Sequence, residues 1–138
     1  MAPHGGAFGR MLTLTRFGAG GPLGGGRQWW SWITLADEVA AMAFLLGAEG
    51  LAGPVNLTAP EPQRQADVSR AIGRGVHRPS VLPAPRFALR SVLGEFAGEI
   101  LASQRVLPTR LAAAGFAFQH PDLDAAVAWL TAPAGARA

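Results

Sequence analysis

The stretch that most constrains this chain is residues 18–37, GAGGPLGGGRQWWSWITLAD. A backbone dense in glycine and broken by Pro22 is poorly suited to a helix or a strand, so it must run as a loop. Trp29, Trp30 and Trp32 follow directly. Indoles bury large areas, so the loop has to fold against a neighbouring element. Thr34, with Asp37 three residues later, then has the form of a capping box that starts a helix. No other part of the chain brings flexible backbone, a cation, amides and large aromatic faces so close together.

At 138 residues, 49% hydrophobic and 15% charged, the chain has the composition of one globular domain or part of one. Its longest apolar run, residues 39–46, is far short of the roughly 20 residues a membrane span needs. The opening MAPHGGAFGR lacks the pattern of a signal peptide. Cysteine is absent, which excludes disulfides and thiolate metal sites and makes a cytoplasmic location the expectation. The net charge of +3 owes nothing to lysine, because all twelve basic residues are arginine. They are scattered along the sequence, so no basic stripe points to nucleic acid. Tyrosine is absent as well. A phenol–ammonium acid/base pair, a Schiff base and a lysine phosphate clamp are therefore all excluded.

Periodicity supplies the element order. Residues 1–17 carry Phe8, Met11, Leu12 and Thr15 at helical spacing, which predicts a short helix ending at Gly18. After Thr34, Val39, Met42, Ala43 and Leu46 predict a helix with a well-buried face. GPVNLTAP alternates Val55, Leu57 and Ala59 against Asn56 and Thr58, which predicts a strand. Val68, Ala71 and Ile72 predict an amphipathic helix over 65–75. From Pro79 an extended proline-rich segment leads to short helices over about 86–93, 95–103 and 108–114, the last capped by Gly115. A final helix from Pro121 carries Leu123, Ala126, Val127 and Leu130 at 0, 3, 4 and 7.

Gly18, Gly21 and Gly24 spell G-x-x-G-x-x-G, but Pro22 removes a donor and RQWWSWI follows where a helix should begin. A phosphate cradle needs that helix N-terminus, so the glycines read as a loop with positive φ. At least one tryptophan is expected in the core and at least one at a cleft. Arg27 and Gln28 beside them suit a phosphate or carboxylate. Gln104 and Arg105, within SQRVLP, offer either a second polar contact to a ligand or a helix C-cap. His4, His77 and His120 stand isolated, without metal-ligand spacing, and read as surface or capping residues. Asp37, Glu38, Asp122 and Asp124 lie in first helical turns, where they complement the helix dipole. Nothing in the sequence activates Ser31 or Ser103 as a nucleophile. The candidate substrate-binding residues are Arg27, Gln28, Trp30, Trp32, Gln104 and Arg105, with no catalytic, cofactor-binding or metal residue.

The segments GGPLGGGRQWWSWITLADEVAAMAFLL, GPVNLTAP, LASQRVLP and AAAGFAFQHPDLDAAVAWL, taken in order, resemble the C-terminal half of the atypical extended short-chain dehydrogenase/reductases. These are the nucleoside-diphosphate-sugar epimerase-like, or epimerase family, proteins, and the later motifs resemble the domain of unknown function that ends them. The resemblance implies an α/β, helix-rich fold, the C-terminal part of a Rossmann-type doubly wound domain with a small, mostly helical substrate lobe. Residues 1–78 would be the Rossmann-like remnant with its substrate-side loop, 79–131 the small helical domain and 132–138 a disordered tail. It also implies that NAD or NADP and a Tyr-x-x-x-Lys element belong to an N-terminal half absent from this chain. Some relatives place an Arg-Asp contact to the nucleotide where this chain has Trp30 and Ser31, with Arg27 and Gln28 the nearest substitutes. The expected partners are that missing half or a second copy, and a small nucleotide-sugar-like ligand, with no nucleic acid and no membrane. The alternative is a stand-alone, non-catalytic ligand-binding or interaction module.

Overall fold

The computed structural model describes residues 1–3, 6–133 and 135, and only the backbone of Leu93. His4 and most of the 132–138 tail lie outside the described residues. The chain runs α1 (Gly6–Arg16), β1 (Trp29–Trp30), α2 (Leu35–Gly47), β2 (Gln63–Arg64), α3 (Gln65–Gly75), α4 (Arg86–Leu93), α5 (Phe96–Leu101), α6 (Thr109–Ala113) and α7 (Leu123–Thr131). The fold is helix-rich. β1 and β2 pair antiparallel, Trp29 opposite Arg64 and Trp30 opposite Gln63, and form the one sheet among the described residues.

The core forms where α3 meets α1 and α7. Val68, Ala71 and Ile72 of α3 are sealed from solvent, as their spacing predicts. Met11 and Leu12 come from α1, and Leu123, Ala126, Val127 and Leu130 from α7, with Trp32 and Ala59 closing the cluster. The core thus draws on both the 1–78 and the 79–131 segments. Burying an aliphatic side chain of this size contributes about 1.5–3 kcal/mol, so these positions supply most of the drive to fold.

The glycine run lies along residues 80–84, with isolated parallel bridges Gly20–Ser80 and Leu23–Ala84. The approach is so close that a Cβ on Gly21 would sit 1.9 Å from the Leu82 carbonyl oxygen, so only glycine fits there. A buried polar chain ties the loop to α3. The Leu23 amide donates to Gln65 Oε1 (2.8 Å), Gln65 Nε2 donates to Ser69 Oγ (2.8 Å), and that hydroxyl donates to the Gly21 carbonyl (2.9 Å). Gln65 and Ser69 are almost wholly buried, so each satisfied group avoids a desolvation cost of about 1–3 kcal/mol.

Two expectations fail. The apolar face of α2 is not buried: Leu35, Val39, Met42 and Leu46 are 46–91% exposed, and Asp37 and Ala41 are the buried residues. The spacing is helical as read, but nothing within the described chain packs on that side. The GPVNLTAP segment is extended but joins no ladder. Its hydrogen bonds to the rest of the chain are few. The Ala59 amide (2.6 Å) and Thr58 hydroxyl (3.2 Å) donate to the Trp32 carbonyl, Asn56 Nδ2 (3.5 Å) donates to that of Leu107, and the Arg110 guanidinium (2.8 Å) donates to that of Pro54.

The N-terminus of α2 is firmly held. Thr34 caps it, its Oγ1 accepting the Asp37 amide at 3.1 Å. Asp37 was read as a dipole complement, but its carboxylate is fully buried and does more. Oδ1 accepts the Gln119 amide (2.7 Å) and Oδ2 the His120 amide (3.0 Å), while His120 Nδ1 lies 3.1 Å from Oδ2. His120 packs beside Trp129 and is no surface residue. The carboxylate therefore clasps α2 to the chain entering α7.

Candidate functional site

The segment 103–106 is laid along 29–31, some seventy-five residues earlier in sequence. The Trp29 amide donates to Ser103 Oγ (3.1 Å) and the Gln104 amide donates to the Trp29 carbonyl (3.1 Å). Ser31 Oγ donates to the Gln104 carbonyl (3.0 Å) and accepts the Val106 amide (2.8 Å). Beside these bonds, three of them through the Ser31 and Ser103 hydroxyls, lies a groove of about 220 Å³. Phe8, Trp29, Trp30, Phe96 and Ile100 supply apolar walls, and Ser31, Glu99 and Gln104 supply polar edges. Phe8 meets Trp30 edge-to-face at 5.5 Å, fixing the angle of that wall. Such a groove suits a ring-bearing ligand that also offers hydrogen-bonding groups.

The sequence-predicted residues divide sharply. Trp30 and Gln104 both line the groove. Arg105 lies beside it, its guanidinium 5.2 Å from the centre of the Trp29 ring. Gln28 points inward, donating from Nε2 to the carbonyls of Leu23 (3.0 Å) and Ile100 (3.4 Å). Trp32 is a core residue whose indole N–H donates to the Glu61 carbonyl at 3.0 Å. Arg27 is exposed, and its carbonyl accepts a bond from the Arg64 guanidinium. Trp29, one of the three tryptophans expected to divide between core and cleft, also lines the groove, whereas Glu99 and Arg64 carry no sequence expectation. Arg64 belongs to β2, a two-residue strand that no periodicity reveals, so its place over Trp29, 3.9 Å from the ring centre, has no sequence signal.

The glycine loop does not have the form of a phosphate cradle, because protein already holds several of its amides. Leu23 donates to Gln65, Gly24 to the Ala84 carbonyl (2.8 Å) and Gly26 to that of Leu23 (3.0 Å). The chain then enters β1, with no helix N-terminus to face an anion. The pyrophosphate of a dinucleotide does not fit these residues. The Ser31 hydroxyl is occupied on both sides, and His120 is engaged with Asp37 and Thr34. No nucleophile–base pair forms in the groove among the described residues. The same residues include no group of three or more His, Asp or Glu able to hold a metal ion, and no helix long and apolar enough to cross a membrane.

Residues 84–130 match the model of a domain of unknown function, DUF1731. An epimerase family protein of Mycobacterium leprae is 43% identical over 132 residues, covering 95% of this chain and 43% of the relative. One from Staphylococcus aureus is 39% identical over 127 residues, covering 92% and 42%. The human epimerase family protein SDR39U1 (isoform2), solved with NADPH, superposes with a TM-score of 0.90 at 32% identity, over 95% of this chain and 45% of that one. The chain belongs to the epimerase family. It matches the C-terminal part of the fold and spans less than half the length of these relatives. A nucleoside-diphosphate sugar epimerase of Corynebacterium glutamicum superposes less closely, with a TM-score of 0.67 at 29% identity over 93% of this chain and 23% of that one.

Proposed function

We propose that this epimerase family chain is the substrate-binding half of an NAD(P)-dependent epimerase- or dehydratase-like protein, acting in the cytoplasm. On this reading it presents substrate to a nucleotide-binding half that it does not itself contain. The observation that carries the reading is the outward face of α2. Leu35, Val39, Met42 and Leu46 recur at intervals of four, three and four, and all stand in solvent. A continuous apolar helical stripe marks an interaction surface. Residues 55–57 add backbone donors and acceptors that no hydrogen bond among the described residues uses, an edge on which a further strand can pair. Residues 1–78 then act as the closing part of a Rossmann-like unit and 79–131 as the small helical lobe. The human relative solved with NADPH supports a nicotinamide cofactor for the assembled protein, and this reading puts it on the other half. This chain contributes the groove between α1, β1 and α5, whose aromatic walls hold substrate while the partner half does the chemistry.

Light scattering on the purified chain tests this. Association through α2 is expected, and substituting Val39→Lys with Leu46→Lys should leave a monomer with an unchanged melt. A wild-type chain that is strictly monomeric and melts sharply would instead favour a stand-alone ligand-binding module. The closed α1–α3–α7 core is the feature that supports that second reading.

A further inference from the structure

The arginines that look scattered in sequence are not scattered around the groove. Arg64 lies over the Trp29 ring at 3.9 Å from its centre, and Arg105 lies at 5.2 Å from the same centre. Trp29 is itself a wall of the groove. β-Pairing opposite Trp29 sets the position of Arg64, and the bond from the Gln104 amide to the Trp29 carbonyl sets that of Arg105. Two cations over one indole repel each other, and cation–π attraction at exposed sites offsets this only modestly. Neither meets a carboxylate: the ion pairs among the described residues are Arg70–Asp67, Arg74–Asp124 and His120–Asp37. A guanidinium stacked on a ring uses its face and keeps its in-plane donors free. Arg64 uses one donor on the Arg27 carbonyl. Arg105 makes no hydrogen bond among those the structure shows.

We infer that Arg64, Trp29 and Arg105 form an oxyanion subsite at the edge of the groove, so that its ligand is a hydroxylated ring carrying a phosphate or carboxylate. The anion sits against the two guanidiniums and bridges their in-plane donors. The ring lies between Trp29, Trp30 and Phe96, and its hydroxyls face the Gln104 amide and the Glu99 carboxylate. Glu99 lines the groove as well, and its charge repels an anion placed deep among the aromatic walls. That repulsion orients the ligand: hydroxyls inward, anion at the arginines. This assignment rests on the groove being the ligand site, and it adds the ligand's charge and orientation.

The indole N–H signals of the four tryptophans report on it directly in a titration of the whole 138-residue chain. The probes are uridine 5′-monophosphate and glucuronate, each set against its neutral counterpart, uridine or glucose. Losing one charge-assisted pair at an exposed site corresponds to about tenfold in affinity. The expected result is that an anionic probe shifts the Trp29 signal with about tenfold lower Kd than its neutral counterpart. The preference should shrink as salt rises from about 0.05 to 0.3 M. It should disappear in the Arg64→Gln, Arg105→Gln double variant, while the neutral probe is unaffected. Both arginines are exposed, so the variant keeps its fold. Which anion is preferred assigns the group as phosphate or carboxylate. Equal affinity for neutral and anionic probes, or a preference surviving the double variant, overturns the oxyanion subsite and leaves the groove standing. If no probe moves the Trp29 or Trp30 signal at about 10 mM, a concentration at which even millimolar binding saturates, the groove and the subsite fall together.

Discussion

Helices α2 and α3 carry the same kind of sequence pattern and meet opposite fates. In α3 the apolar positions 68, 71 and 72 vanish into a core shared with α1 and α7. In α2 the stripe 35, 39, 42 and 46 faces solvent, and the helix is held instead by its capped first turn and the buried Asp37. Helical periodicity states that a helix has a face to be covered. It does not state what covers it. That second fact depends on which other elements are present, and α2 makes the difference visible.

The comparison can be sharpened by substitution, the largest effect first. Truncating Ile72→Ala should destabilise the chain by about 3–4 kcal/mol in urea unfolding, since it opens a cavity where the core is tightest. Val39→Ala should cost less than about 0.5 kcal/mol in the same assay, as for other exposed positions. Equal costs at a dilution where the chain is monomeric would show that the α2 stripe is covered within the chain itself. Asp37→Ala removes the acceptor of two backbone amides and should cost about 2–3 kcal/mol, because it leaves the Gln119 and His120 amides without their partner. A loss below about 0.5 kcal/mol would mean that the first turn is held elsewhere. Gly21→Ala forces the glycine loop off residues 80–84 and should cost about 2 kcal/mol, read as a lowered urea midpoint with unchanged slope. The smallest signal is kinetic. Amides in the last two turns of α2 should exchange with solvent faster than those of α3, where opening requires breaking the core. Matching protection in the two helices would erase the distinction.

Much of the architecture is legible in the residues themselves. The helices at 65–75 and 86–93 end where their apolar spacing and flanking residues place them. Thr34 caps α2 as the Thr-x-x-Asp spacing indicates. The tryptophans divide as their chemistry demands, Trp32 in the core and Trp30 at the groove. What escapes the sequence is long-range. The alternation in GPVNLTAP suits a strand, but a ladder needs a neighbour, and the pattern carries no information about one. Gln28 looks like a ligand contact because it adjoins Arg27 and the tryptophans. In the fold those two residues alternate, one amide turned inward onto the Leu23 and Ile100 carbonyls and one guanidinium outward. Arg64 reaches Trp29 only through a two-residue pairing that leaves no periodic trace.

The Asp37 clasp has a consequence for the order in which the molecule can be made. Its carboxylate waits for the amides of Gln119 and His120, more than eighty residues downstream. Four core residues come from α7, beyond even that point. A ribosome adding about 5–20 residues per second therefore holds α1, α2 and α3 for several seconds with their apolar surfaces uncovered. A chain halted near residue 118 lacks the α7 side of the core and both amides that fasten Asp37. Closing this core and fastening α2 therefore wait for residues 119–130, and the apolar surfaces stay open to aggregation until those residues emerge.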